Sequence, residues 1–267
     1  TASAYTNLNE LGSDGLWEVE PGEQADYRTR VLMYTPIDMA SFSGSVYVEW
    51  LNVTTGFELP VSYASVHNEL LREGHAIALV SAQFAGVEGA ENPLLPLHLK
   101  AINPTRYGEL NHPGDSFSYD IFTQIAGLLR EVDDNELLDD AAASHIFAMG
   151  QSQSASRLVT YFNAIQPLYN TFDGFLIQNR GAGSSGLAQL PLAEIPTPRP
   201  ALLRTDTTTV VINVQGESDI LGRDAETSRQ DDNNYYRLWE VAGSAHNDEY
   251  TFVSGRSDIG DHPRFAV

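Results

Sequence analysis

Short β-rich runs alternate with helix-period patterns from about residue 30 to residue 250, and this alternation constrains the chain more than any other feature. A strand followed by a crossover helix returns parallel to itself, so the pattern predicts a mostly parallel sheet with helices on both faces. Val31–Tyr34, Val46–Trp50, Ala76–Val80, His145–Met149, Phe175–Gln178, Val210–Val214 and Arg237–Val241 read as the strands. Between them, Val61 to Glu73 puts Tyr63, Val66, Leu70 and Leu71 on one helical face and stops at Gly74. Tyr119, Phe122, Ile125, Ala126 and Leu129 recur at helical spacing, as do Leu158, Tyr161, Phe162 and Ile165. The acidic stretch Asp133 to Asp140 precedes the strand at His145.

The chain of 267 residues is long enough to bury a large core, and it reads as one α/β domain over 1–267. Residues 181–209 carry four prolines and three glycines, a density of breakers that argues against core. Two expectations stand for this segment: a small cap over a site, or a surface excursion without function.

Thirty-six acidic residues face 15 basic ones, for a formal net charge of −21, and Lys100 is the one lysine. Such a surface repels nucleic acid and anionic membranes and favours solubility. The chain has no cysteine, which excludes disulfides, thiolate metal sites and cysteine nucleophiles. No apolar stretch approaches the ~18 residues of a membrane span. A soluble protein is expected, with secretion or a periplasmic location left open. Neither a phosphate-binding Walker loop nor a dinucleotide fingerprint is present, so no cofactor and no metal are expected.

The pentapeptide Gly150-Gln151-Ser152-Gln153-Ser154 lies between the His145–Met149 run and a helical pattern. Strand, sharp turn and helix is the setting of a nucleophile elbow, which lifts a serine hydroxyl above the sheet. Gly114-Asp115-Ser116-Phe117-Ser118 has the same spacing, but Pro113 and nearby glycines place it in a loop that no strand enters.

A serine hydroxyl needs a base to take its proton and an acid to orient the base. Downstream of Ser152, the Val210–Val214 strand runs into Gln215-Gly-Glu-Ser-Asp219, and the Arg237–Val241 strand runs into Ala242-Gly-Ser-Ala-His246. His246 is the histidine in the right order, since five others precede Ser152 and His262 follows no strand. Glu217 and Asp219 both qualify as the acid. Two residues apart in an extended strand end they would point the same way, although a glycine three residues before the acid favours Asp219. For an oxyanion, the backbone amide of Gln153 is one expected donor, and Asn52 or Val53 in the loop after Trp50 is the other.

Glu49-Trp-Leu-Asn-Val53, Val80-Ser-Ala-Gln83, Arg106-Tyr107, His112-Pro-Gly-Asp-Ser-Phe-Ser-Tyr-Asp-Ile-Phe122, Gly150-Gln-Ser-Gln-Ser-Ala155 and Trp239-Glu-Val-Ala-Gly-Ser-Ala-His246 together resemble a bacterial and fungal α/β-hydrolase domain family. The resemblance spans roughly residues 46 to 248. It implies a serine esterase-type fold with Ser152 as nucleophile and His246 as base. Ser154 departs from the glycine usual in elbows. The 112–120 loop has two readings: a pocket rim in which Tyr107, His112 or Tyr119 touches substrate, or a turn shaped by Pro113-Gly114 with Asp115 capping the next helix.

The expected activity is hydrolysis of carboxylic esters through an acyl-enzyme. Acyl transfer or amide cleavage on the same groups, and a silent ligand-binding module, are the alternatives. Trp50, Phe57 and Phe84 near the expected site point to a small, uncharged ester substrate. The oligomeric state is left open.

Overall fold

The computed structural model describes residues 1–131, 135–249, 253 and 265–266. Asp133, Asp134 and His262 lie outside the described residues.

Eight strands form the main sheet in the order β10-β3-β5-β4-β6-β7-β8-β9. They are β3 (Val31–Pro36), β4 (Ser45–Trp50), β5 (Ala76–Val80), β6 (His145–Gln151), β7 (Gly174–Gln178), β8 (Val210–Gly216), β9 (Tyr236–Val241) and β10 (Phe265–Ala266). From β5 to β9 every pairing is parallel, whereas β3 runs antiparallel to β5 and β10 antiparallel to β3. The parallel strands therefore share one carboxyl edge, and the loops leaving that edge converge on one region.

Two further strands, β1 (Ala2–Asn7) and β2 (Val19–Ala25), make a separate antiparallel ribbon that the alternation pattern does not reveal. Glu20, Pro21, Gly22 and Glu23 are poor strand formers and stay exposed on β2. β1 is fixed from outside: Ser3 N–H donates to Asp120 Oδ2 at 2.6 Å, and Ala2, Ala4 and Tyr5 are buried.

The helices are α1 (Val61–Arg72), the one-turn segments α2 (Phe84–Val87), α3 (Leu99–Ile102) and α4 (Pro104–Tyr107), α5 (Ser118–Leu128), α6 (Gln153–Thr160), α7 (Gln166–Tyr169) and α8 (Glu217–Gly222). A π-helical turn over Tyr161–Ile165 joins α6 to α7. Val46, Val48, Ala76, Ala78, Val80, Ile146 and Ala148 of the central strands pack with Trp50, Phe122, Leu158 and Phe162 in one core. On the opposite face Leu51, Leu70, Leu71, Ile77, Leu79 and Met149 form a smaller cluster under α1.

Pro60, at the N-cap of α1, has no side-chain acceptor to offer, and Glu49 of β4 takes that role instead. Its two carboxylate oxygens accept the Ser62 and Tyr63 N–H groups, each at 2.8 Å. Burial pushes this carboxyl up to about 8, while the two N–H donors pull the other way.

Residues 181–209 contain no helix or strand, as their prolines predict, but they are not excluded from the core. Leu187, Ala201 and Leu203 are buried in the main cluster, so composition misjudged this segment. The fully buried Arg180 holds it down, donating to the carbonyls of Gly181, Ala182 and Ala201. Apolar side chains on a chain without regular structure still bury well when carbonyls find such a donor.

Candidate active site

Ser152 follows β6 directly and carries φ 60° and ψ −114°, a conformation L-residues rarely adopt. The turn is held from both ends: Ser152 N–H donates to Gln178 O at 2.9 Å, and Ser156 N–H donates to Ser152 O at 3.1 Å. Gly150 suits the tight return, because a Cβ there would lie 3.1 Å from Leu158 Cδ1 and from Ser154 Cβ and crowd both. The hydroxymethyl group of Ser154 is thus accommodated against a bare backbone, although its buried Oγ has no partner among the described residues.

Three of the sequence-predicted side chains meet at the carboxyl edge. Ser152 Oγ lies 2.8 Å from His246 Nε2, and His246 Nδ1 lies 2.5 Å from Asp219 Oδ1. With Nδ1–H directed at the carboxylate, Nε2 presents its lone pair to the hydroxyl. Asp219 is fully buried, and its Oδ2 accepts from Asn179 Nδ2 at 2.6 Å and from Gly216 N–H at 3.0 Å. Ser152 is 7% exposed, so its hydroxyl is sheltered but within reach of solvent.

Glu217 does not touch the imidazole. β8 extends to Gly216 and α8 begins at Glu217, so the two acids lie on a helical turn where residues i and i+2 point apart. The extended reading of this stretch is the one to correct. Glu217 Oε2 instead accepts Gly243 N–H at 2.7 Å, and Ser218 Oγ accepts His246 N–H at 2.6 Å. Ser218 N–H donates to Ser244 O at 3.3 Å, and Gln151 Nε2 donates to His246 O at 3.1 Å. Three consecutive residues, 217 to 219, thereby grip the histidine loop. Ser218, Asn179 and Gln151 were not singled out by motif reading, because hydrogen bonds between loops leave no periodic trace.

Behind the elbow, the β4 loop is tied to the same turn. Asn52 Nδ2 donates to Gln151 O at 3.0 Å, and Asn52 Oδ1 accepts Thr54 N–H at 2.9 Å. The Asn52 N–H is already given to Leu59 O at 3.1 Å and is committed within its own loop. The Gln153 N–H belongs to the first turn of α6, where helix geometry supplies no intrahelical acceptor. Gln153 Nε2 and Trp50 Nε1 both donate to Gln83 Oε1, at 2.9 and 2.7 Å. Trp50 is fully buried against Tyr119 and Phe122 and belongs to the core; it does not line a site.

The 112–120 loop is a junction. His112 Nε2 meets Ala82 O at 3.0 Å, and burial holds this imidazole below its ordinary pKa. Asp115 does not cap the helix that follows: its Oδ1 accepts Phe84 N–H at 2.8 Å and its Oδ2 pairs with Arg157 of α6 at 2.6 Å. Ser116, fully buried, donates its hydroxyl to Gln189 O and accepts Gln189 N–H at 2.9 Å. Tyr119 is also fully buried, with its hydroxyl on Gly186 O at 2.8 Å. His112 and Tyr119 are thus committed inside the protein, and the loop edges a cleft only through Pro113, Gly114 and Asp115.

Among the described residues no group of three or more His, Asp or Glu side chains is arranged to hold a metal ion. No described helix is long and apolar enough to cross a membrane.

A largely parallel sheet with a strained serine turn after a central strand, and an acid and a histidine leaving later strands at the same edge, defines the α/β-hydrolase class. Residues 1–265 match the model of a family described as "Alpha/beta hydrolase domain", and the chain belongs to that family. Solved structures with a similar path include an α/β serine hydrolase without lid from Xanthomonas campestris, at 13% identity over 96% of this chain and 91% of that one, with a TM-score of 0.48. Est1E from Butyrivibrio proteoclasticus, with ferulic acid bound, is 9% identical over 92% and 94%, with a TM-score of 0.45. A glucuronoyl esterase from Solibacter usitatus is 13% identical over 95% and 84%, with a TM-score of 0.41. No curated protein matches the chain.

Proposed function

We propose that this α/β hydrolase cleaves carboxylic esters through an acyl-enzyme. The observation that carries the reading is the unbroken contact chain from Ser152 Oγ through the His246 ring to Asp219, at 2.8 and 2.5 Å, with the serine on a strained turn.

In this reading Ser152 attacks the ester carbonyl as His246 Nε2 takes its proton, and Asp219 stabilises the imidazolium without becoming protonated. The Gln153 and Val53 N–H groups receive the developing oxyanion, where one lost donor costs about 3 kcal/mol of transition-state stabilisation. His246 then passes the proton to the departing alkoxide. Water, deprotonated by the same imidazole, attacks the acyl carbonyl and releases the acid and free Ser152. Glu217 orients the loop and does no proton chemistry.

Intact-mass analysis after exposure to a fluorophosphonate, run with p-nitrophenyl ester turnover, tests the assignment. The expected result is one adduct that disappears with turnover in Ser152→Ala and persists in Ser116→Ala. A folded protein that takes no adduct and turns over no ester would overturn it.

A further inference from the structure

A cleft of about 750 Å³ opens between the 84–91 segment, which follows the carboxyl end of β5, and the 189–194 strap. Phe84, Ala85, Leu190, Pro191 and Leu192 give it apolar walls. Phe84 is 41% and Leu190 78% exposed, and with Ala85, Pro191 and Leu192 they line one contiguous apolar cleft, unlike singly exposed apolar side chains, which are ordinary.

Both walls are fixed to the elbow. On one side Gln153 Nε2 reaches Gln83 Oε1, and Phe84 N–H is held by Asp115. On the other side Ser116 binds Gln189 through both its backbone groups, and the strap lies flat on Gly114. Gly114 has φ +123°, and a Cβ there would strike Pro191 Cδ and sit 2.7 Å from Leu190 O. Asp115 closes the frame through its ion pair with Arg157 of α6 at 2.6 Å. The His112-Pro-Gly-Asp-Ser116 motif is therefore the joint that sets the width of the cleft.

The charge of the lining selects further. Its ionisable residues are Glu91, Asp115 and Glu194, all acidic, and the nearby Arg157 is already paired with Asp115. A ligand carboxylate would enter with no free cation in the lining to meet it and with the carboxylates of Glu91 and Glu194 to repel it.

Resting on the esterase reading, we propose that this cleft takes the apolar portion of an uncharged ester, and that Phe84, Ala85 and Leu190 determine specificity by favouring apolar groups that fill it over short or anionic ones. Each buried methylene favours binding, so an acyl chain that fills the cleft is preferred over acetyl.

The test pairs turnover with binding. p-Nitrophenyl acetate, p-nitrophenyl octanoate and the mono-p-nitrophenyl ester of octanedioic acid are compared in the wild type, Ala85→Trp and Leu190→Asp. The expected kcat/KM for octanoate exceeds that for acetate and for the half-ester at least tenfold. The preference for octanoate over acetate falls to threefold or less in both variants, through loss on octanoate. Equal loss on all three esters, or no preference in the wild type, would overturn the cleft assignment. Independently of catalysis, saturation-transfer NMR on Ser152→Ala should detect 4-nitrophenyl octyl ether and lose it in Ser152→Ala/Leu190→Asp. Binding without any turnover would sink the esterase reading and leave the cleft standing; turnover without such binding would do the reverse.

Discussion

Ser152 and His246 meet at 2.8 Å, but they arrive on unlike supports. Ser152 sits between β6 and α6, where Ala155, Leu158 and Val159 are fully buried and the backbone itself is bent into place. His246 sits on a loop in which Ala242, Gly243 and Ala245 are exposed, and side-chain hydrogen bonds from Glu217, Ser218, Asp219 and Gln151 hold it. The proposed nucleophile is oriented by core packing, so its geometry and the stability of the fold are one property. The proposed base is oriented by discrete polar contacts, which can be removed one at a time.

The strongest way to break the comparison is at the contact that joins the two supports. Asp219→Asn should lower kcat by about 10⁴-fold, because the amide oxygen stays with its donors Asn179 Nδ2 and Gly216 N–H while the amide nitrogen donates to His246 Nδ1 and fixes the wrong tautomer. Steady-state kinetics with a p-nitrophenyl ester reads this, and a loss under tenfold would remove Asp219 from the assigned role. On the core-held side, Leu158→Ala should cost about 2–5 kcal/mol in denaturant unfolding and reduce fluorophosphonate labelling in parallel, since the side chain that packs against Gly150 is gone. Stability lost with labelling unchanged would separate what the comparison joins.

pH should also act on the core-held side. Glu49, held up to about 8 by burial, keeps a proton in the folded chain that the unfolded chain, with an ordinary value of 4.5, gives up. Folding therefore weakens as pH rises from about 5 to 8, by at most about 1.4 kcal/mol per unit from this group. Unfolding midpoints across that range should flatten in Glu49→Gln; an unchanged slope would show that the carboxylate stays ionised. The smallest effect is on the loop side. Ser218→Ala should lower kcat about fivefold, the worth of one hydrogen bond of about 1 kcal/mol, with KM and the unfolding midpoint unchanged. A shift in stability as large as the shift in rate would mean the loop is part of the core after all.

The same contrast explains what could be read from the chain. β5 was legible to the residue, and the starts of α1 and β6 likewise, because buried runs and one-sided helices write their period into the sequence. Ser152 and His246 were legible as candidates through their position after strands. The choice between Glu217 and Asp219 was open because it turns on one residue of strand length, which decides whether period 2 or period 3.6 governs the pair. The grip of Ser218 and Gln151 on the loop was invisible, as was the burial of Leu187, Ala201 and Leu203 in a proline-rich stretch. In both cases the partner is distant in sequence and the backbone is irregular, so composition has nothing to repeat.

The order of the sheet has one more consequence, for folding. Ser152 leaves β6, Asn179 leaves β7, Asp219 follows β8 and His246 follows β9, four neighbouring strands that add only in parallel and only over long separations. Such pairings close late, because the entropy of a long loop is lost before its contacts form. On the proposed mechanism the serine gains its reactivity only when the last of these strands has docked, which would make labelling by an electrophile a clock for completion of the sheet edge.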